Sequence, residues 1–341
     1  MIDGCGREID HLRLSLTDRC NLACRYCVPK GAPPCGKMID EGFAFELVRW
    51  LSERHGIRHI RLTGGEPLLY PSLLSLIERL SSLDSLHEIT LTTNGQALKA
   101  KPHSRTSKSK ALHRAGLSRV NVSLDTLDPD RFAALTGGGQ IAHTLAGIEA
   151  AVEAGLTPVK INVVAQRDFN DCELAAIAEW GLSRGCVVRF LEVMPIGPLA
   201  HVADRHLVPA SEILERLGER FDLKPIDPSH GQAAFSVGQP STDYAARRGG
   251  LRGVIGLIAP TTRPFCSACR RIRVTSSGLL VPCLHANRHA DLFQCWNGKA
   301  ALADARQWDA GRADALLREA ILAKPAVGNE SQSLTMLSLG G

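Results

Sequence analysis

No stretch of the 341-residue chain approaches the roughly 18 unbroken apolar residues of a membrane-spanning helix. The first residues, MIDGCGREIDHLR, lack the apolar core of a secretory signal. These absences exclude a helical membrane protein and lead us to expect a cytoplasmic one. A repeat of roughly 20–50 residues, the mark of a solenoid, is also missing. Basic character is scarce outside one place. The net charge is +5, but residues 99–114, KAKPHSRTSKSKALHR, hold six Lys or Arg and no acid. Without them the chain has a slight excess of acid. That segment has no interleaved aromatics on which bases could stack. It reads as a solvated loop leading into a helix, not as a nucleic-acid arm.

Cysteine is what the chain has in abundance, with eleven. In a reducing compartment, clustered cysteines bind metal or do redox chemistry more often than they form disulfides. Cys5, Cys35, Cys172, Cys186 and Cys295 are scattered and read as small packed hydrophobes or bystanders. The other six form two tight groups. TDRCNLACRYC places Cys20, Cys24 and Cys27 at C-x3-C-x2-C. Cys266 and Cys269 form a C-x2-C pair, with Cys283 after thirteen more residues. Each group is one thiolate short of a structural zinc site or an ordinary iron–sulfur cluster. Zinc could recruit His11 for the first group, or His285 or His289 for the second. A [4Fe–4S] cluster on three thiolates instead leaves one iron open, and an open metal position is where substrate chemistry happens. The first loop itself contains no histidine, which favours iron there.

Between residues 10 and 195 strand and helix patterns alternate. Strands are expected at 11–17, 57–63, 87–93, 118–125, 156–165 and 186–194. Helices are expected at 43–54, 71–83, 144–155 and 173–184. This is an α/β pattern with a parallel sheet. We read it as a partial (β/α)6 TIM-type barrel, because polar residues collect at successive strand ends. These are the cysteine loop, GGEP, TTNG, Ser123-Leu-Asp, Asn162 and Met194, and in a barrel such ends form one ligand face. After about residue 196 the pattern changes. A helix at 210–221 precedes a polar, Gly-rich stretch reaching about residue 254. The run RIRVTSSGLLVPC reads as a hairpin turning at Ser-Ser-Gly, which would return Cys283 to the C-x2-C pair. The expected division is a core of residues 1–225 and a C-terminal α+β extension, 226–341, carrying the second metal group.

The C-x3-C-x2-C loop, with Tyr26 before its last cysteine, resembles the signature of the radical S-adenosylmethionine superfamily. GGEP, at residues 64–67, resembles that superfamily's second motif, where glycines let the backbone approach a ligand closely. The match is narrower still. LRLSLTDRCNLACRYC, RLTGGEPLL, LTTNG, RVNVSLDTLD, PVKIN, FCSACRRIRVTSSGLLVPC and a terminal Gly-Gly resemble, in this order, the GTP 3′,8-cyclase family of molybdenum cofactor biosynthesis. The resemblance covers about residues 4–341. It implies two [4Fe–4S] clusters, one on Cys20, Cys24 and Cys27, the other on Cys266, Cys269 and Cys283. S-adenosylmethionine would chelate the open iron of the first, and GTP would meet the second through its guanine. A 5′-deoxyadenosyl radical would take hydrogen from C3′ of the ribose, and the resulting radical would close on C8. The product would be 3′,8-cyclo-7,8-dihydro-GTP.

The same resemblance implies S-adenosylmethionine contacts at Tyr26, Gly64, Gly65, Glu66, Ser123 and Met194. It implies GTP contacts at Arg13, Arg61, Thr92, Lys160, Arg271 and Arg273. Arg13, Arg271 and Arg273 would act in catalysis together with a tail, Gly340 and Gly341, that reaches the active site. Implied partners are GTP, a reductant such as flavodoxin or ferredoxin, the next-step cyclic pyranopterin monophosphate synthase, and a second copy in a homodimer. No stable nucleic-acid or membrane partner is implied. The residues suit a polyanion: Arg offers a planar fork of donors for phosphate, and Arg271 and Arg273 point to the same side of a strand. The chain departs from the family pattern in three places. The stretch between TTNG and AGL is longer, the stretch before Cys266 is longer, and His59 replaces a common Lys. Alternative readings are a radical S-adenosylmethionine enzyme acting on a peptide or another nucleotide, and a zinc-binding nucleic-acid module.

Overall fold

Leu-Arg-Leu in the first expected strand alternates apolar and charged residues, and the next five strands repeat the device. The computed structural model describes residues 1–28, 36–99, 107–227, 240–286, 288–297, 308–328 and 339. In it β1 (His11–Ser15), β2 (His59–Thr63), β3 (Glu88–Thr93), β4 (Arg119–Ser123), β5 (Lys160–Ala165) and β6 (Val187–Glu192) lie side by side in chain order. All six run parallel. The connecting helices are α1 (Glu41–His55), α2 (Leu73–Ser81), α3 (Lys108–Arg114), α4 (Pro129–Thr136), α5 (Ile141–Glu153) and α6 (Leu174–Leu182). Their ends follow local chemistry. The Asp40 side chain accepts from the Phe43 amide at 2.9 Å to open α1, and Gly56 closes it at φ 73°. Asp128 and Pro129 open α4, which sequence periodicity alone does not reveal, and Gly137 closes it at φ 73°.

Right-handed crossovers between sequential parallel strands put every helix on one face of the sheet. Leu12, Leu14, Ile60, Leu62, Val120, Val122, Ile161, Val163, Val188 and Phe190 are buried in that layer. The opposite parity carries Arg13, Arg61, Thr92, Asn121, Lys160 and Arg189. This polar face curls inward. Arg61 on β2 feels the charge of Arg189 on β6, although four strand spacings in a flat sheet would part them by about 19 Å. The partial barrel is the result.

The C-terminal region joins the same sheet rather than lying beside it. After β6 come α7 (Ala203–His206), α8 (Ala210–Gly218), β7 (Asp222–Pro225), β8 (Thr242–Arg248), β9 (Leu251–Ile258), β10 (Arg271–Val274), β11 (Leu279–Val281), β12 (Ala290–Asp291) and α9 (Ala310–Leu322). β9 runs parallel to β6, and β10 runs parallel to β1. The strand order is β12-β11-β10-β1-β2-β3-β4-β5-β6-β9-β8-β7. β8 and β9 form a hairpin turned by Gly249-Gly250, with Gly249 at φ 56°. β8, the turn and the start of β9 lie within the stretch read from sequence only as polar and Gly-rich.

Residues 259–270 lead from the C-terminal end of β9 to the N-terminal end of β10, and so pass from one end of the barrel to the other. Both ends of this connection are pinned. The Glu192 carboxylate accepts from the amides of Thr261 (3.0 Å) and Thr262 (2.9 Å). The Asp10 carboxylate accepts from both Nε and Nη2 of Arg270. Among the described residues no helix is long and apolar enough to cross a membrane. Of the scattered cysteines, Cys186 and Cys295 are buried, Cys5 and Cys172 are exposed, and Cys35 lies outside the described residues.

Candidate active site

The first cysteine loop leaves the C-terminal end of β1 and is held from two sides. On one side Gly65 donates its amide to the Thr17 carbonyl at 2.6 Å, and Glu66 donates to the Arg19 carbonyl at 2.7 Å. On the other, Ala23 and Arg25 donate to the Thr136 and Leu135 carbonyls at 2.9 and 3.0 Å. Those carbonyls belong to the last turn of α4, where helical partners run out. A Cβ on Gly64 would collide with the Thr17 carbonyl, and one on Gly65 with the Arg19 carbonyl. The two glycines therefore seat the backbone of the cysteine loop. Glu66 is 1% exposed. Its carboxylate accepts from the Leu68 amide (3.0 Å), Thr93 Oγ1 (2.6 Å) and the Asn94 amide (2.8 Å), tying the end of β2 to that of β3. Burial pushes its carboxyl up against these bonds.

Tyr26 donates its hydroxyl to Asp125 Oδ2 at 2.8 Å, and the Val164 amide donates to Oδ1 at 2.7 Å. Burial pushes Asp125 up to about 6. Burial likewise raises all three thiols of this loop, with Asp125 and the neighbouring cysteines adding to the effect at Cys24, and it takes Cys27 to about 12. Thiols in such a place become thiolates when a metal displaces the proton. Ser123 closes β4 and Met194 lies two residues past β6, both half-buried at the same end of the barrel. His11 cannot complete this group. It opens β1 at the far end, hydrogen-bonded to Asp10 at 2.5 Å and stacked on His59.

The second group sits at that far end. The Cys269 amide donates to the Cys266 carbonyl at 3.2 Å, closing a single tight turn. β10 and β11 form the expected hairpin, with Arg273 opposite Val281, so Cys283 comes back beside the turn. Because Arg271 pairs with His11, the first residue of β1, Cys269 lies at the N-terminal end of the strands. The two cysteine groups are thus at opposite ends of strands about 16 Å long. The surroundings of Cys269 differ from those of the first group. Against the upward push of burial, Arg271, Lys324 and Arg273 bring the Cys269 thiol down to about 7. Among the described residues no three His, Cys, Asp or Glu side chains converge on a single ion position.

Between the two ends lies a concentration of buried cations. Lys160 is 1% exposed, and burial together with Arg189, Arg119 and Arg61 pushes it down to about 6. Burial and the charges of Arg119, Arg189 and Arg271 bring Arg61 to about 9. Burial and Arg271 bring Arg273 to about 10, and Arg13 is lowered by burial and by Arg273, Arg61 and Arg271. Cations depressing one another in this way form a site whose field an anion relieves. Arg271 stands over the Phe265 ring at 5.2 Å, and its buried Nε has no hydrogen-bond partner among the described residues. Thr92 Oγ1 accepts from Asn121 Nδ2 at 3.3 Å on the same face.

Residues 14–181 match the Radical SAM superfamily, and residues 186–326 match Molybdenum Cofactor Synthesis C. Over 95% of its length the chain is 40% identical to the GTP 3′,8-cyclase of Pelotomaculum thermopropionicum, covering 94% of that protein. The chain belongs to the GTP 3′,8-cyclase family. It is also 40% identical to the GTP 3′,8-cyclase of Moorella thermoacetica over 86% of each chain. Among solved structures, Streptococcus suis SuiB bound to precursor peptide SuiA superposes with a TM-score of 0.59 at 14% identity. That likeness covers 86% of this chain and 65% of SuiB, and it is one of fold.

Three buried cations of this GTP 3′,8-cyclase family member escaped the sequence reading. Arg119 and Arg189 share the inward parity of Lys160, a signal present in RVNVS and VVRFLE. Arg119 is largely neutralised by a two-bond pair with Glu88 at 2.7 and 2.9 Å. Lys324, beside Cys269, has no local signal at all. Gly340 and Gly341 lie outside the described residues, as do residues 100–106 of the basic segment. Leu339, just before the tail, is buried.

Proposed function

We propose that the chain is a GTP 3′,8-cyclase, a lyase converting GTP to 3′,8-cyclo-7,8-dihydro-GTP in the first step of molybdenum cofactor biosynthesis. The observation carrying this reading is the set of buried cations on the inner barrel face between two three-cysteine groups. A polyanionic nucleotide is the ligand that such a space takes. Membership of the radical S-adenosylmethionine superfamily brings one [4Fe–4S] cluster and S-adenosylmethionine, which Cys20, Cys24 and Cys27 would hold at the C-terminal end. When bound, they supply one-electron chemistry that yields a hydrogen-abstracting carbon radical. Gly64 and Gly65 seat the loop, Glu66 braces the neighbouring strand ends, and Tyr26 is oriented by Asp125. Ser123 and Met194 line the same end.

Cys266, Cys269 and Cys283 would hold a second [4Fe–4S] cluster. The support is a hairpin that brings Cys283 back toward the Cys266–Cys269 turn, with Arg271, Arg273 and Lys324 beside Cys269. Arg13, Arg61, Lys160, Arg271 and Arg273 grip the triphosphate, with Thr92 beside them. Lys160 regains its proton as the anion arrives. The Gly340-Gly341 tail, a reductant such as flavodoxin or ferredoxin, a homodimer and delivery to cyclic pyranopterin monophosphate synthase complete the proposal. So does a functional division at residues 1–225 and 226–341.

The test is anaerobic. Protein reconstituted with iron and sulfide is given dithionite, S-adenosylmethionine and GTP, and 5′-deoxyadenosine and the cyclised nucleotide are followed by mass spectrometry. Both products should form together, and both should vanish in Cys24→Ala. 5′-Deoxyadenosine without cyclised nucleotide would mean that GTP is the wrong substrate.

A further inference from the structure

Lys324 lies just past α9 and is 2% exposed. Its ammonium donates to the carbonyls of Arg271 at 2.9 Å and Cys269 at 3.2 Å, and it stands 3.5 Å from the Cys269 sulfur. A buried ammonium is costly unless hydrogen bonds and a counter-charge offset its desolvation. Two carbonyls occupy two of its three donors, and the sulfur takes the third. None of these three bonds is to a carboxylate. A cluster-bound Cys269 is a thiolate by coordination and supplies a counter-charge at hydrogen-bond distance, nearer than Asp3.

The lysine is also held in place. Arg7 donates to the carbonyls of Cys266 (2.8 Å), Pro325 (2.8 Å) and Ala326 (3.3 Å), and Asp3 neutralises Arg7 at 2.6 Å. Gly4 runs so close to Leu322 that a Cβ there would stand 2.6 Å from its carbonyl oxygen. Residues from both ends of the sequence thus fix the reach of this one side chain.

We propose that Lys324 is a positioning residue for the second cluster. It hydrogen-bonds the Cys269 thiolate, fixes that ligand's orientation and raises the cluster's reduction potential. The proposal rests on the reading that Cys266, Cys269 and Cys283 hold a [4Fe–4S] cluster. Adding an electron makes a cluster more negative, and a nearby cation with an N–H···S bond stabilises the reduced form.

The test uses the full-length, anaerobically reconstituted protein, with iron analysis and an EPR-monitored redox titration. Lys324→Met removes charge and donors, while Lys324→Gln keeps a donor without the charge. Both should retain the iron of two clusters. The midpoint of the second cluster should move to more negative potential in both, further in Lys324→Met. Unchanged midpoints in both Lys324 variants would overturn the proposal. If neither variant retains the cluster, the wild-type protein labelled with 15N-lysine decides. Pulsed EPR of its reduced second cluster should show a 15N coupling, and the absence of that coupling would overturn the proposal. Failure of the underlying reading looks different: the wild type would hold the iron of one cluster only, and Cys266→Ala would not lower it.

Discussion

Lys160→Met should make the substrate-free protein more stable while weakening its hold on GTP. In the fold Lys160 shares the barrel interior with three arginines, and its pKa falls from the ordinary 10.5 to about 6. The unfolded chain keeps this proton at neutral pH and the folded chain gives it up. At about 1.4 kcal/mol per pH unit, that release costs roughly 5 kcal/mol at pH 7. The folded pKa is the lower one. The penalty is therefore full below about pH 6, shrinks as pH rises, and vanishes above 10.5. At pH 9 roughly 2 kcal/mol is left. Methionine removes the charge and keeps the length of the stem. The urea midpoint of the substrate-free variant should exceed that of the wild type at pH 7, by a margin that narrows at pH 9. GTP should restore the proton in the wild type. Calorimetry in two buffers of different protonation enthalpy should then show about one more proton taken up per GTP than in the variant. A lower urea midpoint for Lys160→Met at pH 7, or a margin that widens at pH 9, would refute this reasoning.

Arg273→Ala should keep 5′-deoxyadenosine formation yet cut the cyclised nucleotide on the order of 100-fold, because it removes a charge needed only at the substrate; mass spectrometry of both products checks the split. Gly65→Ala puts a methyl into the Arg19 carbonyl and should displace the cysteine loop, so iron analysis should fall from two clusters to one. Glu66→Gln replaces one carboxylate oxygen with NH2, so that a donor faces the amide of either Leu68 or Asn94. It should destabilise the fold by about 2–4 kcal/mol and slow 5′-deoxyadenosine formation, as read by denaturant titration and product assay.

Six strands were legible because each pairs an apolar parity with a polar one over five or six residues, and the cysteine spacings stood out against a chain with few other motifs. The Ser-Ser-Gly hairpin was legible for a similar, local reason. What escaped was non-local. Nothing within LRGVIGLI says that it will lie beside VVRFLE, or within RIRV that it will lie beside HLRLS. The Gly249-Gly250 turn was readable, but the arginines and glycines around it blurred the strand alternation. The glycines of GGEP were read as room for a ligand; they also admit the backbone of the Thr17–Arg19 loop. Lys324 in sequence is an ordinary lysine after a helix. The packing of α9 against β11 and β12 brings it to Cys269.

The flanking positions of β9 and β10 also bear on how the chain is made. β1 emerges from the ribosome early, but the neighbour that covers its outer edge arrives some 260 residues later. Until then one rim of the nascent array offers bare amides and carbonyls to any other strand, and the β6 rim does the same until β9 appears. Such long-range closure is slow, and it leaves partly built sheets open to mispairing. A truncation ending near residue 225 would remain in that state permanently, with both rims bare and the inner cations without their anion. The boundary that divides the chain by task would therefore be a poor place to cut it.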